Sequence, residues 1–253
     1  MTAQDSSYGG VDVNALKTFD SYGKTSFLDC IPGLRSNDVR QAFIKKVYGL
    51  LFFMLSVPTL LIILSVNVAG IRNFMRTHIE LYYIAAVITI VMLLSLFCFQ
   101  RILRKVPQNY IFLLVFTVLE SYTVTTLTCF YEPRSILYAA ILTFVMAFSL
   151  TLYACFARTD LTRIGFALCW VSLGVSLAAI ILMVIVRSHF ILILCAWVFL
   201  IIAALYVIID TQMILGGKHK ELSVDDYVIG AMMLFIDFLH IFVQLLIIIG
   251  RRN

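Results

Sequence analysis

Four ionisable side chains lie inside the long apolar segments of this sequence once tyrosine and cysteine are set aside: Glu120, Asp210, Asp237 and His240. A charged side chain at mid-bilayer costs about 2.5–3.5 kcal/mol even on the insertion scale, so such groups usually face a partner or a water-filled cavity. A structural hydrogen bond between helices is the alternative explanation for any one of them. That alternative is weaker for two carboxylates together.

The two aspartates are expected to form a pair. Asp210 ends the sixth apolar segment, and Asp237 lies about ten residues, or roughly 15 Å, into the seventh. A short loop, 218–226, makes these helices antiparallel neighbours, so the carboxyls meet if the helices are staggered or Asp210 points inward. No lysine or arginine lies inside a span, so the pair either shares a proton or holds a cation. Carboxylate and carbonyl oxygens suit calcium, and the resulting hypothesis is a pH-gated calcium site at Asp210 and Asp237.

Further polar residues could line a cavity or pore near this pair. Asp237, His240 and Gln244 fall on one helix face at i, i+3 and i+7, and we expect that face to look into the bundle. His240 either senses pH or, as is more common, forms a hydrogen bond across helices. Glu120 sits in a polar run with Thr117 and Thr123, and such a run indicates either a lining helix or hydroxyls bonded to their own backbone.

The elements that hold these residues are transmembrane helices. With 62% hydrophobic residues, 13% charged residues and a mean hydropathy of +1.01, the chain lies outside the soluble globular range. Crossing the hydrocarbon takes about 20 apolar residues in a helix. Charge-free runs of that kind predict an all-α integral membrane protein of six to seven spans, at roughly 47–66, 81–99, 110–131, 135–156, 164–186, 190–210 and 228–250.

The chain is predicted to have two parts. Residues 1–38 are polar and are interpreted as a disordered cytosolic tail, and residues 39–253 as a single transmembrane bundle. No signal peptide pattern precedes the first span, so that span directs insertion and the N-terminus stays in the cytosol. Near the span ends, eleven Lys and Arg then fall on the cytosolic side and four opposite. If the last segment crosses the membrane, Arg251 and Arg252 add to the four residues on the opposite side. If it re-enters, they add to the eleven on the cytosolic side.

The net charge of +5 is interpreted as basic loops facing anionic lipid. Membrane lipid is therefore the expected partner, and a nucleic acid is not. The six cysteines include no metal-type spacing, and no tightly bound cofactor is predicted.

Several motifs carry a resemblance to a known family. They are the opening helix Val39–Tyr48, the stretch Asp210-Thr211-Gln212 with Gly216-Gly217-Lys218, the triplet Asp226-Tyr227-Val228, and Leu234–Asp237 with Ile248–Arg251. In these residues, and over nearly all of 39–252, the sequence resembles the Bax inhibitor/lifeguard family, also called the transmembrane Bax inhibitor motif-containing proteins. The lifeguard branch is the closest in pattern.

That resemblance implies a bundle around a central polar C-terminal helix, with a cytosolic N-terminus in the ER or Golgi membrane. It implies a pH-sensitive calcium leak, with calcium as the transported ion, that lowers stored calcium and suppresses apoptosis. Apoptosis regulators and calcium-release channels are the possible protein partners. The family's paired aspartates match Asp210 and Asp237, and Glu120 matches an acidic position of some members. An arginine that some members place near the pair has no counterpart between Leu81 and Phe99.

Two other functions compete with the channel. A non-conducting scaffold could regulate death-signalling or calcium-channel partners through helix packing. An intramembrane aspartyl protease would also use two aspartates that share a proton. The Gly-x-Gly-Asp pattern of presenilin-like enzymes is absent, because Leu234-Phe235-Ile236 precedes Asp237 and Val207-Ile208-Ile209 precedes Asp210. We therefore expect no enzymatic activity.

Overall fold

The computed structural model describes the backbone of residues 32–98, 107–186 and 188–252, and the side chains of 39–95, 107–186 and 188–252. Most of the predicted tail, residues 1–38, lies outside these ranges, and its disorder stays a prediction. The chain divides into two units, Met1–Gln41 and Ala42–Asn253. In the described part the helices are α1 (Pro32–Asn67), α2 (Ala69–Thr77), α3 (Ile79–Cys98), α4 (Gln108–Thr128), α5 (Pro133–Phe156), α6 (Gly165–Val186), α7 (His189–Leu215) and α8 (Tyr227–Ile249).

Six of these helices are long and apolar enough to cross a membrane: α1, α4, α5, α6, α7 and α8. The helices α2 and α3 meet at a bend of 74° and could together provide a seventh span. The prediction of an all-α multi-pass membrane protein with six to seven spans is confirmed.

The last helix, α8, is central. It packs against α7, α5 and α4, and residues on several of its sides are fully buried, among them Met232, Leu234, Phe235, Ile241 and Leu246. A helix that is apolar all round belongs in a protein core or in lipid, and the burial of these residues places α8 among the other helices. Half of the span in α4 is buried as well, which makes α4 and α8 the two inner helices of the bundle.

The short helix α2 joins α1 to α4 through two arginines. Arg72 donates from Nε to Ser65 O at 3.2 Å and from Nη2 to Val66 O at 2.8 Å, at the end of α1. Arg76 donates from Nε to Cys129 O at 2.8 Å, at the end of α4. Carbonyls at helix C-termini lack intrahelical donors and carry partial negative charge, so guanidinium groups stabilise them.

The α8 helix runs without a break to the far end of the bundle. Beyond it, Arg251 O accepts a hydrogen bond from Glu132 N at 3.0 Å, and Arg251 N donates to Ser135 Oγ at 3.1 Å. These bonds hold the residues after α8 against the turn between α4 and α5. The last segment therefore does not fold back toward the loop between α7 and α8, and Arg251 and Arg252 lie at the opposite end of α8 from that loop.

Candidate functional site

The structure brings Asp210 of α7 and Asp237 of α8 together. Their residues are only 5% and 6% exposed, and their carboxyl groups lie within hydrogen-bonding reach of each other. A hydrogen bond between two carboxyls requires a proton, because two carboxylates are both acceptors. The arrangement can therefore hold one shared proton inside the bundle.

The hairpin between α7 and α8 sets the stagger that joins the pair. Gly216 and Gly217 end α7 with φ angles of 76° and 72°, a left-handed conformation that costs glycine little. Leu222 N then donates to Met213 O at 3.1 Å, which folds the loop back against α7. Asp210 thus lies within α7, about one and a half turns before its end, and faces the middle of α8.

Among the described residues, the pair has no cationic neighbour that forms an ion pair with it, and Asp237 Oδ2 has no hydrogen-bond partner. No group of three or more His, Cys, Asp or Glu in the described part of the chain could hold a metal ion. Two carboxylates offer at most four oxygens, whereas calcium takes about six to eight. A calcium ion at this point would have to keep part of its hydration.

A polar pocket adjoins the pair. Tyr206, one turn before Asp210 on α7, lies within electrostatic range of both aspartates, and its hydroxyl is 3.0 Å from Ser172 Oγ of α6. Behind it lies a pocket of about 290 Å³ between α6, α7 and α8, whose polar lining is Ser172, Ser176, Tyr206, His240 and Gln244. At about 30 Å³ each, several water molecules fit in this volume.

The pocket divides the predicted polar face of α8, which carries Asp237, His240 and Gln244, into a buried part and a part that lines the pocket. Asp237 is buried, but His240 is exposed and Gln244 half-buried, and both line the pocket beside α6 instead of the interior. The expectation that the whole face looks into the bundle is therefore wrong for His240. The tyrosine and the two serines were missed by the sequence analysis. Their only signal is spacing: Tyr206 precedes Asp210 by four residues, and Ser172 and Ser176 are four apart on α6.

Glu120 lies elsewhere, half-buried on α4 and close to Tyr82 of α3. The hydroxyls around it bond to their own helix: Thr117 Oγ1 donates to Leu113 O at 2.7 Å, and Thr123 Oγ1 to Glu120 O at 2.8 Å. For Thr117 and Thr123 the structure favours hydroxyls satisfied within the helix, whereas the buried hydroxyls of Tyr122 and Thr125 have no hydrogen-bond partner among the described residues. Among the residues that the structure describes, no hydrogen bond or ion pair links Glu120 to the aspartate pair.

The helix that carries Asp210 is fastened just beyond it by Gln212, which sequence analysis also missed. This fully buried amide accepts from Leu161 N at 3.0 Å and donates to Thr159 O at 2.9 Å. Lys218 adds a hydrogen bond from Nζ to Ala157 O at 3.1 Å, at the end of α5. We call these bonds between 157–162 and 212–220 the loop clasp.

Asp160 is the acidic member of the loop clasp and lies outside the spans. It accepts from Thr162 Oγ1 at 2.6 Å, from Thr162 N at 3.1 Å and from His219 N at 2.9 Å. These bonds, the Thr162 hydroxyl first, lower the pKa of the Asp160 carboxyl to about 2. Asp160 is consequently ionised at every physiological pH and does not act as a pH sensor.

Comparison with known proteins gives consistent matches. Residues 40–253 match the family described as "Inhibitor of apoptosis-promoting Bax1". The chain is 26% identical to "Protein lifeguard 3" of Homo sapiens over 251 residues, which cover 96% of this chain and 77% of that protein. It is 29% identical to "Protein LIFEGUARD 1" of Arabidopsis thaliana over 238 residues, which cover 87% of this chain and 94% of that protein.

Proposed function

Because the chain belongs to the Bax inhibitor/lifeguard family, which points to an anti-apoptotic membrane protein, we propose that it is a pH-sensitive calcium leak channel. The leak would lower the calcium stored behind an intracellular membrane, ER or Golgi, and so suppress apoptosis. The observation that carries the proposal is the burial of Asp210 and Asp237 side by side, with their carboxyl groups within hydrogen-bonding reach. We propose no enzymatic activity, because members of this family are generally not enzymes.

Protonation of the pair provides the gate. With one proton, the carboxyls hold each other and the path between α7 and α8 is closed. When that proton leaves, two unit charges at about 4 Å repel by about 4 kcal/mol at an effective dielectric constant of about 20. The repulsion is relieved when a hydrated divalent cation lies between the carboxylates. Since proton and cation compete for the same oxygens, leak should rise with pH.

Water must reach the pair for this exchange, and the polar pocket behind Tyr206 supports such access. Its polar lining continues along α8 from His240 to Gln244, one turn further from the pair. With a cytosolic N-terminus, as the distribution of basic residues indicates, this direction leads away from the cytosol.

Calcium release from liposomes that contain purified protein tests the proposal. Wild type is compared with Asp210→Asn and Asp237→Asn at about pH 6 and pH 8. The control Asp225→Asn makes the same change at an exposed position. We expect faster release at pH 8 in wild type and in the control, and loss of the pH dependence in both pair variants.

Folded protein that releases no more calcium than empty liposomes at either pH would contradict the channel. The scaffold would then be the better explanation, with the aspartates as structural residues.

A further inference from the structure

A long apolar groove runs between α1 and α5, with α8 as its floor. Its volume is about 730 Å³, and it extends along α1 from Tyr48 to Asn67 and along α5 from Pro133 to Thr151. The residues of α8 at its floor are Phe238, Leu239 and Phe242. Neither the aspartate pair nor the polar pocket belongs to it, so the proposed function does not use this groove.

We propose that this groove binds an acyl chain of a membrane phospholipid. The 20 residues from Tyr48 to Asn67 span about 30 Å of helix, which equals the hydrocarbon thickness of a bilayer, about 30 Å. The groove therefore lies at the same depth in the bilayer as the acyl chains of both leaflets.

The walls of the groove offer a chain apolar contacts and no competing hydrogen bonds at mid-depth. Three threonines line it, and the two at mid-depth bond to their own helices: Thr59 Oγ1 donates to Leu55 O and Thr143 Oγ1 to Ala139 O, both at 2.7 Å. The third, Thr151, lies at the end of the groove. A polar ligand would gain little from the middle of such walls, whereas a hydrocarbon chain fits them.

A cation stands at each end of the groove. Lys45 precedes the lining residue Tyr48 by three positions on α1, and Arg134 precedes the lining residue Leu137 by three on α5. Residues three apart lie on one helix face, and both cations are exposed. A phosphate held there would keep its chain in the groove, which favours a phospholipid over a neutral lipid.

The bound chain would touch the central helix beside the aspartate pair, because the lining residue Phe238 directly follows Asp237. Photo-crosslinking can locate the chain. The protein is reconstituted in phosphatidylcholine that contains a small fraction of phosphatidylcholine with a diazirine midway along one chain, and labelled residues are mapped by mass spectrometry.

We expect labels on groove residues such as Ile62 and Phe144 in several-fold excess over Leu177 and Ile180, which are exposed on α6. Ala140→Phe, which fills the groove, should reduce the excess several-fold. Ala178→Phe, the same change at an exposed position of α6, should leave it unchanged. Thermal unfolding of both variants confirms that they fold.

Equal labelling of groove and α6 residues would overturn the proposal, as would an excess that survives Ala140→Phe. Labelling by a diazirine-bearing diacylglycerol as strong as by the phosphatidylcholine probe would overturn the role of the phosphate. Displacement of the label by cholesterol but not by added phosphatidylcholine would assign the groove to a sterol instead.

Discussion

Replacing Gln212 by alanine should weaken the attachment of α7 to the loop between α5 and α6. The change removes two hydrogen bonds, each worth about 1 kcal/mol net. Thr159 is exposed, so its carbonyl can turn to water, but Leu161 is half-buried and its N–H would lose its partner at a further cost of about 1–3 kcal/mol. We therefore expect a loss of about 3–5 kcal/mol in the free energy of unfolding.

Denaturant titration in mixed micelles, followed by tryptophan fluorescence, measures this loss. Gln244→Ala is the matched control, because it truncates a half-buried glutamine in the polar pocket for which no protein hydrogen bond is found among the described residues. Its effect should stay below about 1 kcal/mol. If Gln212→Ala costs less than about 0.5 kcal/mol, or no more than the control, the loop clasp does not hold α7 as inferred.

Three further changes test other contacts. Gly250→Ala should free the residues after α8, since a Cβ there would collide with the carbonyl oxygen of Leu246; faster amide hydrogen exchange at 250–252 is expected, and unchanged exchange would contradict it. Asp160→Ala should destabilise the protein equally at pH 6 and pH 8. The pKa of this carboxyl is lowered to about 2, so its contribution is complete above the unfolded value of about 3.9 and is lost only as the pH falls through about 2; thermal unfolding that differs between the two pH values would refute this. Arg76→Met should cost about 1.5–3 kcal/mol by removing a charged donor from Cys129 O, and a loss below about 0.5 kcal/mol in the same titration would contradict the capping role.

The sequence indicated the aspartate pair because the two carboxyls lie on consecutive apolar segments joined by a short loop. Whether they meet depends on the stagger of the two helices, which the turn after α7 sets. The position of Asp210 was nevertheless misjudged. The charge-free run stops there, but α7 continues to Leu215, because Thr211, Gln212 and Ile214 are buried against the rest of the protein.

The contacts that the sequence did not predict depend on which helices pack side by side. The stripe on α8 was expected to face inward because polar groups avoid lipid, yet Ser172 and Ser176 give His240 a polar surface beside α6. The loop clasp could not be predicted from the sequence for another reason. The groups that Gln212 binds are a backbone N–H and a backbone C=O, and every residue carries those except proline, which lacks the N–H.

Hydrogen bonds at both ends of α8 limit how this helix can move within the bundle. At one end Asn109 Nδ2 donates to the hydroxyl of Tyr227 at 3.2 Å, and at the other Glu132 N donates to Arg251 O. A helix anchored at both termini cannot slide along its axis without breaking one anchor. Separation of Asp210 from Asp237 would therefore proceed by rotation or bending of the helix at mid-depth, and a spin label placed there should report a change of angle with little axial displacement.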